Sequence, residues 1–454
     1  MTAETIVLNF VSTMAFQGIF LSSKQNSSLL VFLLACNAGL NYIAAYSMAL
    51  QSHDIVFVIM SQEESYHAKQ ALRLKESIVQ QAQATQQGIP KVYLFHEDFL
   101  HPGGWTILPI IPRLHKFHGR SLSWLMFLEP STEVNLPELL KELMRIDKRE
   151  KRLKNGLANE GKNQGMWVGH GLIDKEPTII HHFLTDGKIM YPHFSAGFAM
   201  DKILLDKLVE EIEEHGLPGE ESDFSIDASH ELALFIWNSG QGVRLTHSEA
   251  FCLTSPQDKA ANKSCVTWPL PFKACGDVKS PESVYFAVKT CSKFHHDRIP
   301  VIKSTWGKYA AHINYFSDVE DPVIPTINLG IPNTEHGHCD KTKAIIKHIS
   351  EKIKDQDLIN IKWVVLVDDD TILSVSRLLS LLTCFENYES TPKVVGERYG
   401  YRVCQQPEGV FPFEFHGYNY ATGGGGVALN RKAIDVLSKP ETCICPAPDA
   451  PDDM

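Results

Sequence analysis

Trp363-Val-Val-Leu-Val-Asp-Asp-Asp-Thr371 and Trp124-Leu-Met-Phe-Leu-Glu-Pro-Ser-Thr132 are two versions of one pattern. In each, a tryptophan opens a run of apolar residues long enough for one strand buried on both faces, the type of strand that parallel sheets use. In each, polar residues follow at once and a Leu-rich helical stretch comes next, Val375-Ser-Arg-Leu-Leu-Ser-Leu-Leu382 and Pro137-Glu-Leu-Leu-Lys-Glu-Leu-Met144. The two runs lie 239 residues apart.

Three further landmarks recur in the same order. Ile55-Val-Phe-Val-Ile-Met-Ser61 matches Val284-Tyr-Phe-Ala-Val-Lys-Thr290, 229 residues on. Tyr191-Pro-His-Phe-Ser-Ala-Gly197 resembles Tyr418-Asn-Tyr-Ala-Thr-Gly-Gly424 at an offset of 227, and Ser222-Asp223 corresponds to Pro451-Asp452 at 229. Four ordered matches at nearly one offset indicate an internal duplication. Two tandem α/β domains are therefore expected, with mainly parallel sheets covered by helices on both faces. Their spans are 52–246 and 280–454, joined by a linker over 247–279.

Bulk properties agree with this organisation. A chain of 454 residues exceeds one ordinary domain, and its 44% apolar and 21% charged content is that of a globular protein. The net charge of −11, with no Lys/Arg block, argues against nucleic acid as a partner. An anionic nucleotide bound to such a protein needs a divalent cation between them.

Residues 1–51 hold a targeting signal. Leu29 to Leu50 are 22 uncharged residues preceded by Lys24, which reads as a signal peptide or as a membrane anchor of the signal-anchor type. A buried core helix is the plainer alternative. Nine of the ten cysteines lie at Cys252 or later, enough for up to four disulfides in an oxidising compartment, with connectivity open. Cys443-x-Cys445 lacks the usual zinc-ligand spacing. Asn26-Ser-Ser28 and Asn262-Lys-Ser264 are glycosylation sequons.

The chemistry falls in the second copy. Asp368, Asp369 and Asp370 end a buried strand, where open α/β sheets bind ligands. Adjacent carboxylates repel one another unless a cation neutralises them, and hard oxygen donors suit Mg²⁺ or Mn²⁺ bridging to a diphosphate. The alternative is a solvated acidic turn capping the next helix. The first copy has Glu129, Pro130 and Ser131 at these positions and cannot form the same ligand set, so it is expected to be non-catalytic. Thr422-Gly-Gly-Gly-Gly426 would let a bulky ligand approach the backbone, and Tyr418 and Tyr420 are candidates for stacking on sugar faces or for core packing. Asp452 and Asp453 form a second acidic pair, either a general base or a surface turn. A Mg²⁺-dependent phosphotransferase is disfavoured by the lack of a G-x-x-x-x-G-K-[ST] loop.

With these residues in order, the second copy resembles the fringe and β-1,3-glycosyltransferase group. The likeness is carried by Val288-Lys-Thr290, Lys293-Phe-His295, Arg298, Trp306, Val367-Asp-Asp-Asp370, Thr422 to Gly426 and Pro451-Asp-Asp453. Gly396 to Tyr401 and Ile331 to Cys339 extend it to members that glucosylate O-linked fucose on thrombospondin type 1 repeats. The resemblance implies the GT-A fold, with the first copy a degenerate second example. It implies UDP-glucose as donor, inversion at the transferred carbon, fucosylated thrombospondin type 1 repeat proteins as partners, and the endoplasmic reticulum lumen as compartment. It also implies roles: Asp369 and Asp370 for Mn²⁺ (or Mg²⁺), Asp368, Arg298, Thr290, Gly424 and Gly425 for the donor, and Asp452 as base with Asp453 as its substitute. The family places a metal-binding histidine beyond the Pro-Asp-Asp segment and this sequence stops at Met454, so a C-terminally truncated product is expected. The competing expectation is a catalytically impaired protein of the same fold that binds fucosylated repeats.

Overall fold

The computed structural model describes residues 50–454 except 102, 157–163, 185–186, 218–223, 257–263, 279, 336, 355–357, 389–390, 404–416, 443, 448–449 and 451–454. The apolar N-terminal run, the Asn262 sequon, Asp452 and Asp453 therefore lie outside the described residues, Leu50 apart. Among those described, no helix is long and apolar enough to cross a membrane.

The architecture is mixed α/β, built on two six-stranded sheets. In the first, Ile55–Ile59 lies between the parallel strands Lys91–Leu94 and Trp124–Leu128. Phe198–Asp201 then adds antiparallel to Trp124–Leu128, followed by Trp167–Gly169 and Thr246–His247. In the second, Val284–Lys289 lies between the parallel strands His312–Ser317 and Trp363–Asp368, with Thr326–Asn328 beyond the former. Val427–Asn430 adds antiparallel to Trp363–Asp368, followed by Val394–Val395. The tryptophan-led strands thus occupy the same place and sense in both sheets.

The reason lies in the sequence of these strands. Ile55–Ile59, Trp124–Leu128 and Val284–Lys289 are buried along their whole length, so each needs helices on both faces. Alternation along Val284–Lys289 sends Val284, Phe286 and Val288 into one core and Tyr285 and Ala287 into the other. Helix Cys339–Lys352 covers the Tyr285 face through Ile345, Ile346 and Ile349, spaced for one side of a helix. The two antiparallel strands both end in a helix cap. Asp201 accepts from the Leu204 N–H, and Asn430 from the Ala433 N–H.

Pairing joins the two halves. Phe224–Ser225 pairs antiparallel with Arg398–Tyr401, which pairs antiparallel with Tyr418–Ala421 in a three-stranded sheet. The Trp105 Nε1–H donates to Asn419 Oδ1 at 2.8 Å, and Lys393 pairs with Glu64. The backbone around Gly103 runs so close to Val403 that a Cβ there would lie 1.9 Å from the Val403 carbonyl oxygen. Within 247–279, Thr267–Pro269 pairs antiparallel with Thr132–Val134 beside the first sheet.

Disulfides join Cys252 to Cys265, Cys275 to Cys384 and Cys339 to Cys445, while Cys291 is a buried free thiol. The Cys275–Cys384 bridge spans 109 residues of sequence. Closing so long a loop restricts the unfolded chain, an effect worth about 2–5 kcal/mol. Replacing both cysteines by serine is expected to lower Tm by several degrees in thermal unfolding; an unchanged Tm would assign this bridge no stabilising role.

Candidate functional site

Strand Trp363–Asp368 carries the acidic triplet out of the core. Asp368 is its last residue and pairs in register with Lys289 on the neighbouring strand, so Thr290 and Asp369 stand side by side just past the strand ends. Lys289 Nζ lies 3.1 Å from Asp368 Oδ1. Asp369 is buried at 6% exposure, and both its oxygens are engaged: Thr290 Oγ1–H donates to Oδ2 at 2.7 Å and Arg298 Nη1–H to Oδ1 at 2.6 Å. Arg298 also donates to Asp370 Oδ2 at 2.9 Å, and its guanidinium lies over the Phe294 ring at 3.8 Å. The hydrogen bond to Asp369 raises the pKa of Arg298 above its ordinary value. Asp370 is mostly exposed and Asp368 a third exposed. Among the described residues, Asp368 Oδ2 and Asp370 Oδ1 have no protein partner.

Glycines complete this end of the sheet. Thr371 turns back under the triplet, its N–H donating to the Asp368 carbonyl and its hydroxyl to the Gly424 carbonyl at 3.1 Å. Trp306 Nε1–H donates to the Thr371 carbonyl at 3.0 Å. Gly426 adopts φ of +85° with its Cα against Val367, where a Cβ would meet Val367 Cγ1 at 3.2 Å. Gly424 and Gly425 are exposed at the turn. The structure thus brings together Thr290, Arg298, Asp368, Asp369, Asp370, Gly424 and Gly425. Tyr420 packs edge-on against Tyr399, and Tyr418 against Tyr401.

Asp452 and Asp453 lie outside the described residues, but the chain leading to them is anchored. Cys445 is bonded to Cys339, and the Cys339 N–H donates to the Ala450 carbonyl at 3.1 Å. Cys339 opens the helix whose Lys341 side chain donates to the Thr290 carbonyl. Lys341 was not among the sequence candidates. A lysine inside an amphipathic helix carries no local signal, and only the fold shows it buried, where desolvation lowers its pKa.

The corresponding end of the first sheet is a cavity of about 1420 Å³. Glu129, Pro130 and Ser131 line it, as do Asp227, Glu397, Arg398 and Tyr399. Burial, then the charges of Glu397 and Asp227, push the Glu129 carboxyl up to about 7. Burial brings Arg398 down to about 10, with its guanidinium 4.7 Å from the centre of the Trp105 ring.

Next to it is a cluster that sequence reasoning missed. His181 Nδ1–H donates to Asp174 Oδ2 at 2.6 Å, and the ring contacts Asp227 at 3.5 Å and stacks on His230 at 4.1 Å with planes 13° apart. Asp174, His181 and His230 offer atoms within 4.8 Å of one another, near enough to hold an ion after rearrangement of the rings. Parallel stacked imidazoles do not aim their lone pairs at one point, so in this arrangement the cluster is a charged stack. Desolvation opposes charge on His181, but the bonds to Asp227 and Asp174 prevail and raise its pKa, while burial lowers His230 to about 4.

The sequence comparisons agree with this geometry. A Fringe-like family model matches residues 279–454, the half that holds the acidic triplet. A manic fringe β-1,3-N-acetylglucosaminyltransferase of Danio rerio is 30% identical over 168 residues, 34% of this chain and 43% of its own. The class is therefore that of the glycosyltransferases. Similarity to the β-1,3-glucosyltransferase of Mus musculus is broader, 40% identity over 404 residues, 88% of this chain and 75% of that protein. The Homo sapiens β-1,3-glucosyltransferase is 40% identical over 403 residues, 88% and 73%. The chain belongs to the β-1,3-glucosyltransferase family.

Glu129 yields a prediction with a definite sign. In the unfolded chain it ionises near about 4.3, and in the folded chain at about 7. Between these values the folded state holds an extra proton, so the Glu129 contribution to stability falls as pH rises through this window and stays low above it. Glu129→Gln is expected to raise Tm relative to wild type at about pH 8, by the equivalent of about 1–3 kcal/mol, with the gain disappearing near about pH 4. Scanning calorimetry at both pH values checks this; a variant less stable than wild type at the higher pH contradicts it.

Proposed function

We propose that the chain transfers glucose from UDP-glucose, with inversion, to the 3-hydroxyl of O-linked fucose on thrombospondin type 1 repeats. In this proposal 280–454 is a GT-A catalytic domain, 52–246 is its non-catalytic copy, and 247–279 links them. Membership of the β-1,3-glucosyltransferase family supports the transfer of glucose. The observation that carries the site is the acidic triplet, held at the end of a buried strand by Lys289, Thr290 and Arg298. The matching strand order of the two sheets supports the duplication.

The donor set fits a hard divalent ion. Asp369 and Asp370 present carboxylate oxygens that bond to Arg298, and these two residues would hold an ion such as Mn²⁺ or Mg²⁺. When bound, the ion supplies charge stabilisation for the departing diphosphate. Arg298, released from the carboxylates, binds the donor phosphates, and Asp368 and Thr290 orient the nucleotide-sugar. Gly424 and Gly425 give it close access to the backbone.

Asp452 accepts the proton of the fucose 3-hydroxyl as that oxygen bonds to the glucose anomeric carbon. The bond from that carbon to UDP breaks on the opposite face, which inverts the configuration. Asp453 is the substitute base. Ala450, two residues before Asp452 in the sequence, bonds to Cys339, whose helix carries the Lys341 that donates to the Thr290 carbonyl. The three disulfides support an oxidising compartment, assigned here to the endoplasmic reticulum lumen.

UDP release, measured with UDP-glucose, Mn²⁺ and a fucosylated repeat, tests the proposal. Asp452→Asn is expected to cut turnover at least about a hundredfold, the scale of a lost general base, while UDP binding persists. Asp370→Asn is expected to weaken both turnover and Mn²⁺-dependent UDP binding. A wild-type chain that binds fucosylated repeats without releasing UDP would overturn the catalytic proposal in favour of a binding protein.

A further inference from the structure

The cavity of the first half holds chemistry that the transfer reaction does not use. Its floor is at the carboxyl end of strand Trp124–Leu128, the place where α/β sheets gather ligands. Pro130 and Ser131 follow Glu129 there, so the adjacent carboxylates that would hold an ion for a diphosphate are absent from this turn. Glu129, Asp227 and Glu397 gather like charges at the floor, while the cations Arg73, Lys273, Lys393 and Arg398 line the rest of the space, so the floor rather than the whole cavity disfavours an anionic group.

Two buried polar atoms on these walls lack a protein partner, Glu64 Oε1 and Arg398 Nε. Leaving such atoms unsatisfied is costly, and a ligand able to donate to one and accept from the other removes that cost. The aromatic side chains Tyr66, Phe272 and Tyr399 also line the cavity, each partly exposed. Hydroxyl groups can do both at once, while the C–H faces of a sugar ring cover aromatic surface. At about 1420 Å³ the cavity exceeds the roughly 300–1,000 Å³ typical of small-molecule pockets, room for more than one ring.

We propose that this cavity is a second saccharide-binding site, distinct from the donor site, that takes an uncharged sugar or short oligosaccharide. Glu64 and Glu397 accept from its hydroxyls, Arg398 donates, and Glu129 lies at the floor. The site does not depend on the transfer chemistry proposed above. It is nevertheless wired to the donor end: the Thr422 N–H donates to the Glu397 carbonyl at 3.0 Å, and Arg398 pairs with Ala421 just before the glycine turn.

Saturation-transfer NMR on the full chain carrying Asp370→Asn tests this, in the presence of excess UDP. The probes are the methyl glycosides of glucose, mannose, fucose and N-acetylglucosamine, with methyl glucuronide as the anionic comparison, each up to about 10 mM, which covers millimolar Kd values. At least one neutral glycoside is expected to bind and the glucuronide to bind more weakly. Adding Glu129→Gln or, on the opposite wall, Phe272→Ala is expected to weaken Kd about tenfold. Phe272 is 45% exposed, so its loss leaves the core intact. No transfer from any neutral glycoside, transfer unchanged in both variants, or equal binding of the glucuronide would overturn the proposal.

Discussion

Three carboxylates in succession at the end of a buried strand repel one another, and the second half of this protein is organised around holding them there. Asp369 is the centre of that arrangement. It is sheltered from water, and Thr290 and Arg298 satisfy its two oxygens. Those partners come from the adjacent strand and the turn beyond it, so strand pairing and charge compensation are one event. If the strands slipped by one residue, Lys289 would leave Asp368 and Thr290 would leave Asp369.

Much of this was legible in the sequence because it is local. An apolar run that ends abruptly in acids declares a buried strand with an acidic cluster at its end, and Trp124 and Trp363 open strands at the same place in the two sheets. What escaped was assembled from afar. Asp174 lies on a loop, His181 at the end of the short helix Ile179–His181 and His230 in helix Ala228–Trp237, with no spacing that marks them as neighbours. The cavity walls come from both halves, and Arg398 meets Trp105 only through the three-stranded sheet. Disulfide pairing, left open by the sequence, follows from which loops the fold brings together.

The two sheet ends differ in how they manage charge. At the second, Lys289 and Arg298 sit in direct contact with the acids. At the first, Glu129 faces Glu397 and Asp227 without a cation bonded to it, and its proton is retained toward neutral pH instead. One scaffold thus supports an anionic end suited to cations and an end whose acid is poised between its charged and neutral forms.

The seam between Phe224–Ser225 and Arg398–Tyr401 bears on how the molecule comes apart. A strand contributed by one half completes a sheet in the other, so separating the halves bares main-chain N–H and C=O groups along an edge. Hydrogen exchange in this seam should therefore follow openings that involve both halves together. There are two six-stranded sheets, but the seam ties them together, so neither half has a boundary of its own.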